Sequence, residues 1–139
     1  MFGCSGTPPH NLGVHDGRLS PCPDKPNCVS TISEDPRHRM KPISYDGELK
    51  AAREKLIGVI GSMKRTRIVT AEDAYLHVEF TSALFRFVDD VEFLFDDARK
   101  IIHFRSASRL GNGDMGVNRK RMKEVRTRFG EQAPIRLPE

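Results

Sequence analysis

The sequence predicts an α+β domain in which two helices pack on one face of a four-stranded antiparallel sheet, in the order α-β-β-β-β-α. Apolar residues recur at helical spacing at both ends of this region, and four short runs between them are either rich in β-branched residues or alternate apolar and polar residues. The connections between these runs are too short for parallel crossovers, so we expect an antiparallel meander. The other face of the sheet is expected to be partly open to solvent or covered by the N-terminal segment.

Three segments of different character divide the chain. Residues 1–42 contain most of the prolines and show no sustained period, which predicts an irregular Pro/Gly-rich N-terminal segment. Residues 43–130 carry the periodic patterns and are expected to form a single α+β domain, followed by a C-terminal tail over residues 131–139. A chain of 139 residues with a hydrophobic content of 37% has enough apolar side chains for one core, but not for two.

Each predicted helix combines an N-terminal cap with an apolar stripe. Asp46 is the expected N-cap of the first helix and Asp114 that of the second, because an aspartate accepts hydrogen bonds from the first free N–H groups. The two stripes are Leu49, Ala52, Leu56, Val59, Ile60 and Met63, and then Asn118, Met122, Val125 and Phe129. Asn118 is the polar member of its stripe, and burying its amide without partners would cost roughly 1 to 3 kcal/mol.

Four short runs are predicted to be strands. They cover residues 67–71, 75–82, 91–95 and 100–106. The first is rich in β-branched side chains, and the others alternate apolar and polar residues. Residues 96–99 fit a hairpin loop between the last two runs. The pattern leaves open whether residues 84–87 form a strand of their own or a bulged entry into the next strand.

Three cysteines leave one without a partner if the other two pair. Cys22 and Cys28 are separated by a short loop rich in turn residues, and we expect a disulfide between them ahead of free thiols or a metal site. A metal site would require His10, His15 and His38 to converge from irregular chain. We therefore predict neither a metal nor a cofactor.

The first residues leave two interpretations of the compartment open. Gly3 and Cys4 look like the end of a bacterial lipobox, where a lipoprotein is cleaved and then acylated on the cysteine. Lipidation of Cys4 would place the protein in the cell envelope or periplasm, whereas an ordinary start without an export signal would leave it in the cytoplasm. Because the sequence has no apolar run of about 18 residues, membrane contact is expected only through such an anchor.

The charge distribution makes nucleic acid an unlikely partner. The net charge of +4 comes from 23 basic and 19 acidic residues, which are mixed along most of the chain. A basic cluster in the second predicted helix contains Arg119, Lys120, Arg121, Lys123, Arg126 and Arg128. It has neither interleaved aromatic residues nor the signature of a known binding module. Attachment of this helix to a membrane surface or to nucleic acid is therefore the third hypothesis, and it predicts binding that weakens steeply with salt.

The most polar stretch lies where the last predicted strand meets the second predicted helix, in residues 103–122. Arg105 and Arg109 can each present a planar set of donors to a carboxylate or phosphate. Glycines in the loop allow backbone N–H groups to approach a ligand, and the start of the helix adds the positive end of its dipole. These features predict an anion-binding site at this strand-loop-helix junction.

Nine residues are predicted to bind the ligand at this junction. They are Arg105, Ser106, Ser108, Arg109, Asp114, Asn118, Arg119 and the facing Asp89 and Asp90. The same residue types also fit an internal network, in which an arginine pairs with Asp89 and Asp90 while Asn118 binds the backbone of the loop. A capping Asp114 would repel an incoming anion, which favours this network or a ligand that carries both charges. The sequence leaves both interpretations open.

The titratable residues form no recognisable catalytic set. Asp89 and Asp90 are adjacent in a strand, so they are expected to point to opposite faces and not to share a proton. His77 and His103 could align on one face as a proton-transfer or metal pair, but solvated or half-buried sheet histidines are the simpler expectation. The sequence contains no serine-hydrolase elbow, Walker loop, zinc-protease motif or dinucleotide fingerprint.

The chain resembles the family known as domain of unknown function 1499, which occurs in bacteria and chloroplasts. The motifs that carry the resemblance are residues 19–23 (LSPCP), 26–30 (PNCVS), 87–91 (FVDDV), 105–111 (RSASRLG) and 114–119 (DMGVNR). The similarity extends from Gly13 to Phe129. The family brings no established activity, but many members look exported or lipid-anchored, which agrees with the lipobox interpretation. This chain departs from those members because its sequence carries no export signal before Cys4.

Two hypotheses about function follow. The first is a small non-enzymatic domain of the cell envelope that binds a small anionic ligand or a protein partner through the junction from Arg105 to Arg119. The alternative is an enzyme acting on a small anionic or polar substrate, which Arg105, Arg109 and Arg119 would hold while an aspartate or histidine supplies acid–base catalysis. An open pocket with a titratable group at its floor would favour the enzyme, and buried, mutually paired side chains would not.

Overall fold

One antiparallel sheet dominates the structure. The computed structural model describes residues 8–84, 86–110 and 115–131. The elements in chain order are β1 (Val14–His15), β2 (Arg18–Leu19), β3 (Cys28–Ser30), β4 (Ile43–Ser44), α1 (Leu49–Gly61), β5 (Thr66–Ala71), β6 (Tyr75–Thr81), β7 (Val88–Asp96), β8 (Ile101–Ser108) and α2 (Met115–Glu131). Strands β1 and β2 form a small hairpin. The other six form the large sheet, in the order β3-β8-β7-β6-β5 with β4 also paired to β8.

The four predicted strands are β5 to β8, and they pair antiparallel in chain order as expected. The prediction of a four-stranded sheet is wrong in strand number, because β3 and β4 add two short strands along one edge of β8. These two strands are only two or three residues long, too short to produce an alternating pattern. They pair with backbone groups of β8 that would otherwise form an open edge. Residues 82–84 and 86–87, between β6 and β7, form no strand.

The apolar face of the sheet packs against both helices. Phe93 and Phe104 are paired across β7 and β8 at its centre, and both are fully buried. The helices contribute Ala52, Leu56, Val59 and Ile60 from α1, and Met122, Val125 and Phe129 from α2, to the same core. Alternation of apolar residues along each strand thus directs one face to the helices, as the sequence predicts.

The cap of α1 differs from the prediction. Glu48, not Asp46, is the N-cap residue, and its side chain makes no capping hydrogen bond. Gly47 adopts a left-handed φ of 79°, which turns the chain between Asp46 and the first helical residue. The predicted cap of α2, Asp114, lies outside the described residues. Neither helix of the described chain is long and apolar enough to cross a membrane.

The N-terminal segment covers the second face of the sheet, which we call the polar face. The N–H of Gly13 donates to Glu92 on β7 at 2.7 Å, and Arg105 on β8 donates to the carbonyl of Pro21 at 3.4 Å. A disulfide joins Cys22 to Cys28 at the start of β3, so the expected pairing is present. The segment predicted to be irregular therefore closes the second side of the domain.

Two arginines of the basic helix hold a further part of the N-terminal segment. Arg119 donates to the carbonyls of Arg37 and Arg39, both at 3.0 Å, and Arg126 donates to the carbonyl of Lys41. The three carbonyls belong to alternate residues, and the two arginines are two helical turns apart. The basic cluster therefore has a structural role along one side of α2, because these guanidinium groups satisfy backbone carbonyls that form no ladder.

Candidate functional site

The predicted ligand-binding residues are divided between the two faces of the sheet. Strand alternation places Asp89, Ser106 and Ser108 on the apolar face, next to α2. Asp90 and Arg105 lie on the polar face, and Arg109, just beyond β8, reaches the same side. The expectation that Asp89 and Asp90 point in opposite directions agrees with this register. The eight of these residues that the structure describes therefore do not surround one common space.

A buried ion-pair network on the polar face is centred on Asp90, whose side chain is 1% exposed. The carboxylate accepts hydrogen bonds from Arg109 Nε at 2.9 Å and lies 2.7 Å from His77 Nε2. Arg109 also donates to Glu79 Oε2 at 2.6 Å, which links β6, β7 and the end of β8. Three strands thus contribute charges that satisfy one another away from solvent.

The network controls the protonation of its central carboxylate. Burial alone would raise the pKa of Asp90, but hydrogen bonds from His77 and Arg109 outweigh it and hold the pKa below its usual value. The hydrogen bond to Asp90 in turn raises the pKa of Arg109 above its usual value. Asp90 and Arg109 therefore form a charged pair at neutral pH.

A second buried pair on the polar face joins Glu92 and Arg105. Arg105 Nη1 lies 3.8 Å from Glu92 Oε1, which is an ion-pair distance without a direct hydrogen bond. The other carboxylate oxygen, Oε2, accepts from the hydroxyl of Tyr75 at 2.5 Å and from the N–H of Gly13. Burial and this bond to Glu92 raise the pKa of Tyr75, while burial lowers that of Arg105. The cover formed by the N-terminal segment keeps this pair away from any open cleft.

Asn118 organises a separate polar cluster on the apolar face, which we call the junction cluster. Its Oδ1 accepts from Ser106 Oγ at 2.7 Å, and its Nδ2 donates to Ser108 Oγ at 3.1 Å. Asp89 pairs with Arg121 of α2 at 2.7 Å, and not with Arg105 or Arg109. Asn118 thus joins β8 to α2, and its amide finds the partners that a fully buried amide requires.

The remaining predicted positions are either engaged elsewhere in the described chain or not described. Arg119 bonds to backbone carbonyls of the N-terminal segment, as described above. Asp114, Cys4 and the loop glycines at 111 and 113 lie outside the described residues. His77 bonds to Asp90, whereas the Nδ1 of His103 lies 2.9 Å from Thr31 Oγ1, so the two histidines do not form a pair.

The sequence analysis did not identify two groups of residues as groups. The first consists of Asp24, Asp35 and His38, which lie beside the disulfide. Their ligand-type atoms lie within 4.8 Å of one another. Arg37 binds both carboxylates, and its hydrogen bond to Asp35 lowers the pKa of that residue to about 2. His38 Nδ1 lies 2.8 Å from the carbonyl of Cys28. Because Arg37 already neutralises the acidic groups, this cluster is organised as an ion pair.

The second group is an open cleft of about 500 Å³ at the end of the sheet where α2 begins. We call it the basic cleft; its lining includes Lys64, Arg65, Val117, Lys120, Arg121, Glu124 and Arg128, together with Thr81 and Ser82 of the chain leaving β6. Five of these side chains are basic and one is acidic. The five come from the α1–β5 turn and from α2, so no single sequence motif reveals the cleft.

A larger cleft of about 750 Å³ lies at the opposite end of β7. Its lining combines Arg18 and Arg99 with Asp96 and Asp97, so this cleft favours neither anionic nor cationic ligands. His103 also lines it, and burial lowers the pKa of this histidine. The basic cleft is therefore the one whose lining specifies the charge of a ligand.

Residues 18–129 match the profile of a family described as a protein of unknown function, DUF1499. The chain belongs to this family. The match includes the polar-face strands, the junction cluster and the basic cleft, and it confirms the resemblance drawn from the sequence motifs. No curated protein matches the chain. Membership of DUF1499 thus assigns no activity to the chain.

Removing Arg109 should destabilise the DUF1499 domain strongly. Arg109→Ala leaves Asp90 buried with only part of its neutralising charge, and we expect a loss of about 3 kcal/mol in the free energy of unfolding. Arg67→Ala is the matched control, because Arg67 pairs with the same Glu79 but its side chain is 68% exposed. That change should cost less than about 1 kcal/mol. Denaturant unfolding measures the free energy of unfolding of both variants. Equal losses would contradict a structural role for the buried Arg109.

Asp90 should also make stability depend on pH. Because its pKa in the folded protein is lowered, the charged pair stabilises the fold above the unfolded-state pKa of about 3.9 and is lost as pH falls through the lower, folded value. The difference in unfolding free energy between the wild type and Asp90→Asn should be large at pH 7 and shrink below about pH 4. Urea titrations from pH 7 to below about pH 4 measure how this difference changes with pH. A difference that does not change with pH would contradict the lowered pKa of Asp90.

Proposed function

We propose that this DUF1499 chain is a binding domain and not an enzyme, and that it holds an anionic ligand in the basic cleft. One observation carries the proposal: five basic side chains from two separate parts of the chain line one open cleft with a single carboxylate. Such a lining attracts anions and raises their local concentration. The cleft lies beside α2, close to the junction that the sequence indicates, and its other wall is formed by the α1–β5 turn and the end of β6.

Some basic side chains of the cleft form ion pairs within the chain, and others do not. Arg121 pairs with Asp89, and Arg128 pairs with Glu124 at 2.8 Å. Lys64 and Lys120 are exposed and take part in no ion pair in the part of the chain that the structure describes. The two lysines are therefore the cations that a ligand would engage first.

The burial of the polar face argues against the enzyme hypothesis. Arg105, Arg109 and Arg119, which would hold a substrate, are bound to partners within the chain. Asp90 and His77 are bound to each other beneath the N-terminal cover. A general acid or base must reach the proton that it moves, and these groups face other protein atoms. Asp90 and His77 thus do not form an acid–base set at an open surface.

We also propose that the protein works in the cell envelope. The disulfide between Cys22 and Cys28 supports this compartment, because disulfides persist in oxidising environments and are rare in the cytosol. A lipid anchor on Cys4 is part of the same proposal and rests on the Gly3-Cys4 sequence. Mass measurement of the protein isolated from its cell, before and after reduction, tests the disulfide and the acyl chain together.

Inorganic phosphate is a suitable first probe of the basic cleft. In an NMR titration we expect the largest amide shifts at residues 64–65, 81–82 and 117–121, because these residues line the cleft. The double variant Lys64→Ala/Lys120→Ala should bind phosphate about tenfold more weakly, since two charge-assisted contacts are lost.

The control variant is Lys41→Ala/Lys50→Ala, which removes two exposed lysines that do not line the cleft. It should bind phosphate like the wild type. Equal weakening in both double variants would show that only net charge matters and would defeat the proposal. Amide shifts centred on Arg105 and Arg109 would instead indicate that phosphate binds at the polar face.

A further inference from the structure

The loop between β6 and β7 exposes a large apolar side chain to an unusual degree. Leu84 is 79% exposed, more than any other large apolar residue that the structure describes. Two further exposed apolar residues lie at the same end of the sheet: Phe87, 39% exposed, and Val117, 48% exposed. Burying such side chains is favourable, so a cluster of them marks a contact surface.

The apolar loop and the basic cleft share this end of the molecule. Ser82, at the start of the loop, and Val117, near the start of α2, both line the cleft. The N–H of Thr81 donates to the carbonyl of Arg65 at 3.0 Å, which fixes the end of β6 beside the α1–β5 turn. Arg86, also exposed, adds a cation within the loop itself. Apolar and basic side chains thus lie together at one edge of the molecule.

We propose that this edge binds the surface of an anionic phospholipid bilayer, with Leu84 entering the interface while the cations contact headgroup phosphates. We call it the docking surface; its residues are Leu84, Phe87 and Val117 with Lys64, Arg65, Arg86 and Lys120. The inference rests on the proposed function, because it uses the same basic cleft. It goes further by naming the anion as part of a bilayer.

The composition of the docking surface favours a bilayer over a soluble anion or a protein. A soluble anion would engage the cations but would give no reason for Leu84 to be exposed. The cores of protein interfaces are depleted in lysine, whereas peripheral membrane proteins combine inserted apolar side chains with surrounding lysine and arginine. Glu124 is the acidic residue of the cleft, and it is paired with Arg128. Charge complementarity therefore points to an anionic surface.

Vesicle binding of the full 139-residue chain, without an acyl group, tests the proposal. We expect binding to vesicles of phosphatidylglycerol and phosphatidylethanolamine, and little binding to phosphatidylcholine alone. Leu84→Ser should weaken binding about tenfold, because a leucine no longer enters the interface. Val14→Ser removes another exposed apolar residue, 41% exposed and outside the docking surface, and should leave binding unchanged.

The lysines provide the second arm of the experiment. Lys64→Ala/Lys120→Ala should weaken vesicle binding about thirtyfold, since each cation near an anionic bilayer contributes about 1 kcal/mol. Leu84→Ser should leave phosphate binding in the cleft unchanged, and a thermal melt like that of the wild type shows that this variant is folded.

Three results would overturn the inference. They are wild-type vesicle binding by Leu84→Ser, equal binding to anionic and neutral vesicles, and no vesicle binding at all. If phosphate still binds in the cleft while vesicles do not, the bilayer is wrong and the proposed function stands. If neither binds, both proposals fall.

Discussion

The pairing of Asp90 with Arg109 and His77 is the interaction on which the rest of the structure depends. A carboxylate that is 1% exposed is tolerated only when opposite charge and hydrogen bonds replace its lost hydration. Because Asp90 pairs with Arg109 and Glu92 pairs with Arg105 on the polar face, the N-terminal segment can lie across that face, and the sheet is buried on both sides. The apolar face then packs the two helices without competing for those charges, and the junction cluster fixes where α2 leaves β8.

The residues that stabilise the fold are thus different from those that we propose to bind a ligand. Arg105 and Arg109 have the chemistry of an anion-binding site, yet their partners are carboxylates of the same domain. Lys64 and Lys120, which form no ion pair in the described chain, lie instead around the basic cleft, between α2 and the α1–β5 turn. The ion-pair network on the polar face holds the strands, and the junction cluster joins β8 to α2. The β6–β7 loop and the α1–β5 turn present Leu84 and Lys64 to the outside. Binding is thus proposed for the periphery of a domain whose interior charges serve its stability.

The sequence predicted the features that depend on local periodicity. Alternation in β6, β7 and β8 gave the central meander, and the helical stripes gave α1 and α2, because each pattern is long enough to repeat. It also indicated that Arg109 could pair with Asp90 and that Asn118 needed buried partners. It could not predict β3 and β4, which form only because β8 offers an edge, nor the cap at Glu48. The sequence also could not predict the basic cleft, because Lys64 and Lys120 are far apart in the chain. They come to line one cleft only through the packing of α2 against the sheet.

The most direct test of this account is a double-mutant cycle on Asp90 and Arg109, with phosphate affinity measured on each folded variant. If the pair is structural, Asp90→Ala and Arg109→Ala should couple by roughly 1 to 3 kcal/mol in unfolding free energy. All variants that fold should then bind phosphate as the wild type does. Additive effects on stability, together with loss of phosphate binding in Arg109→Ala, would contradict the account and identify the arginine as part of a ligand site.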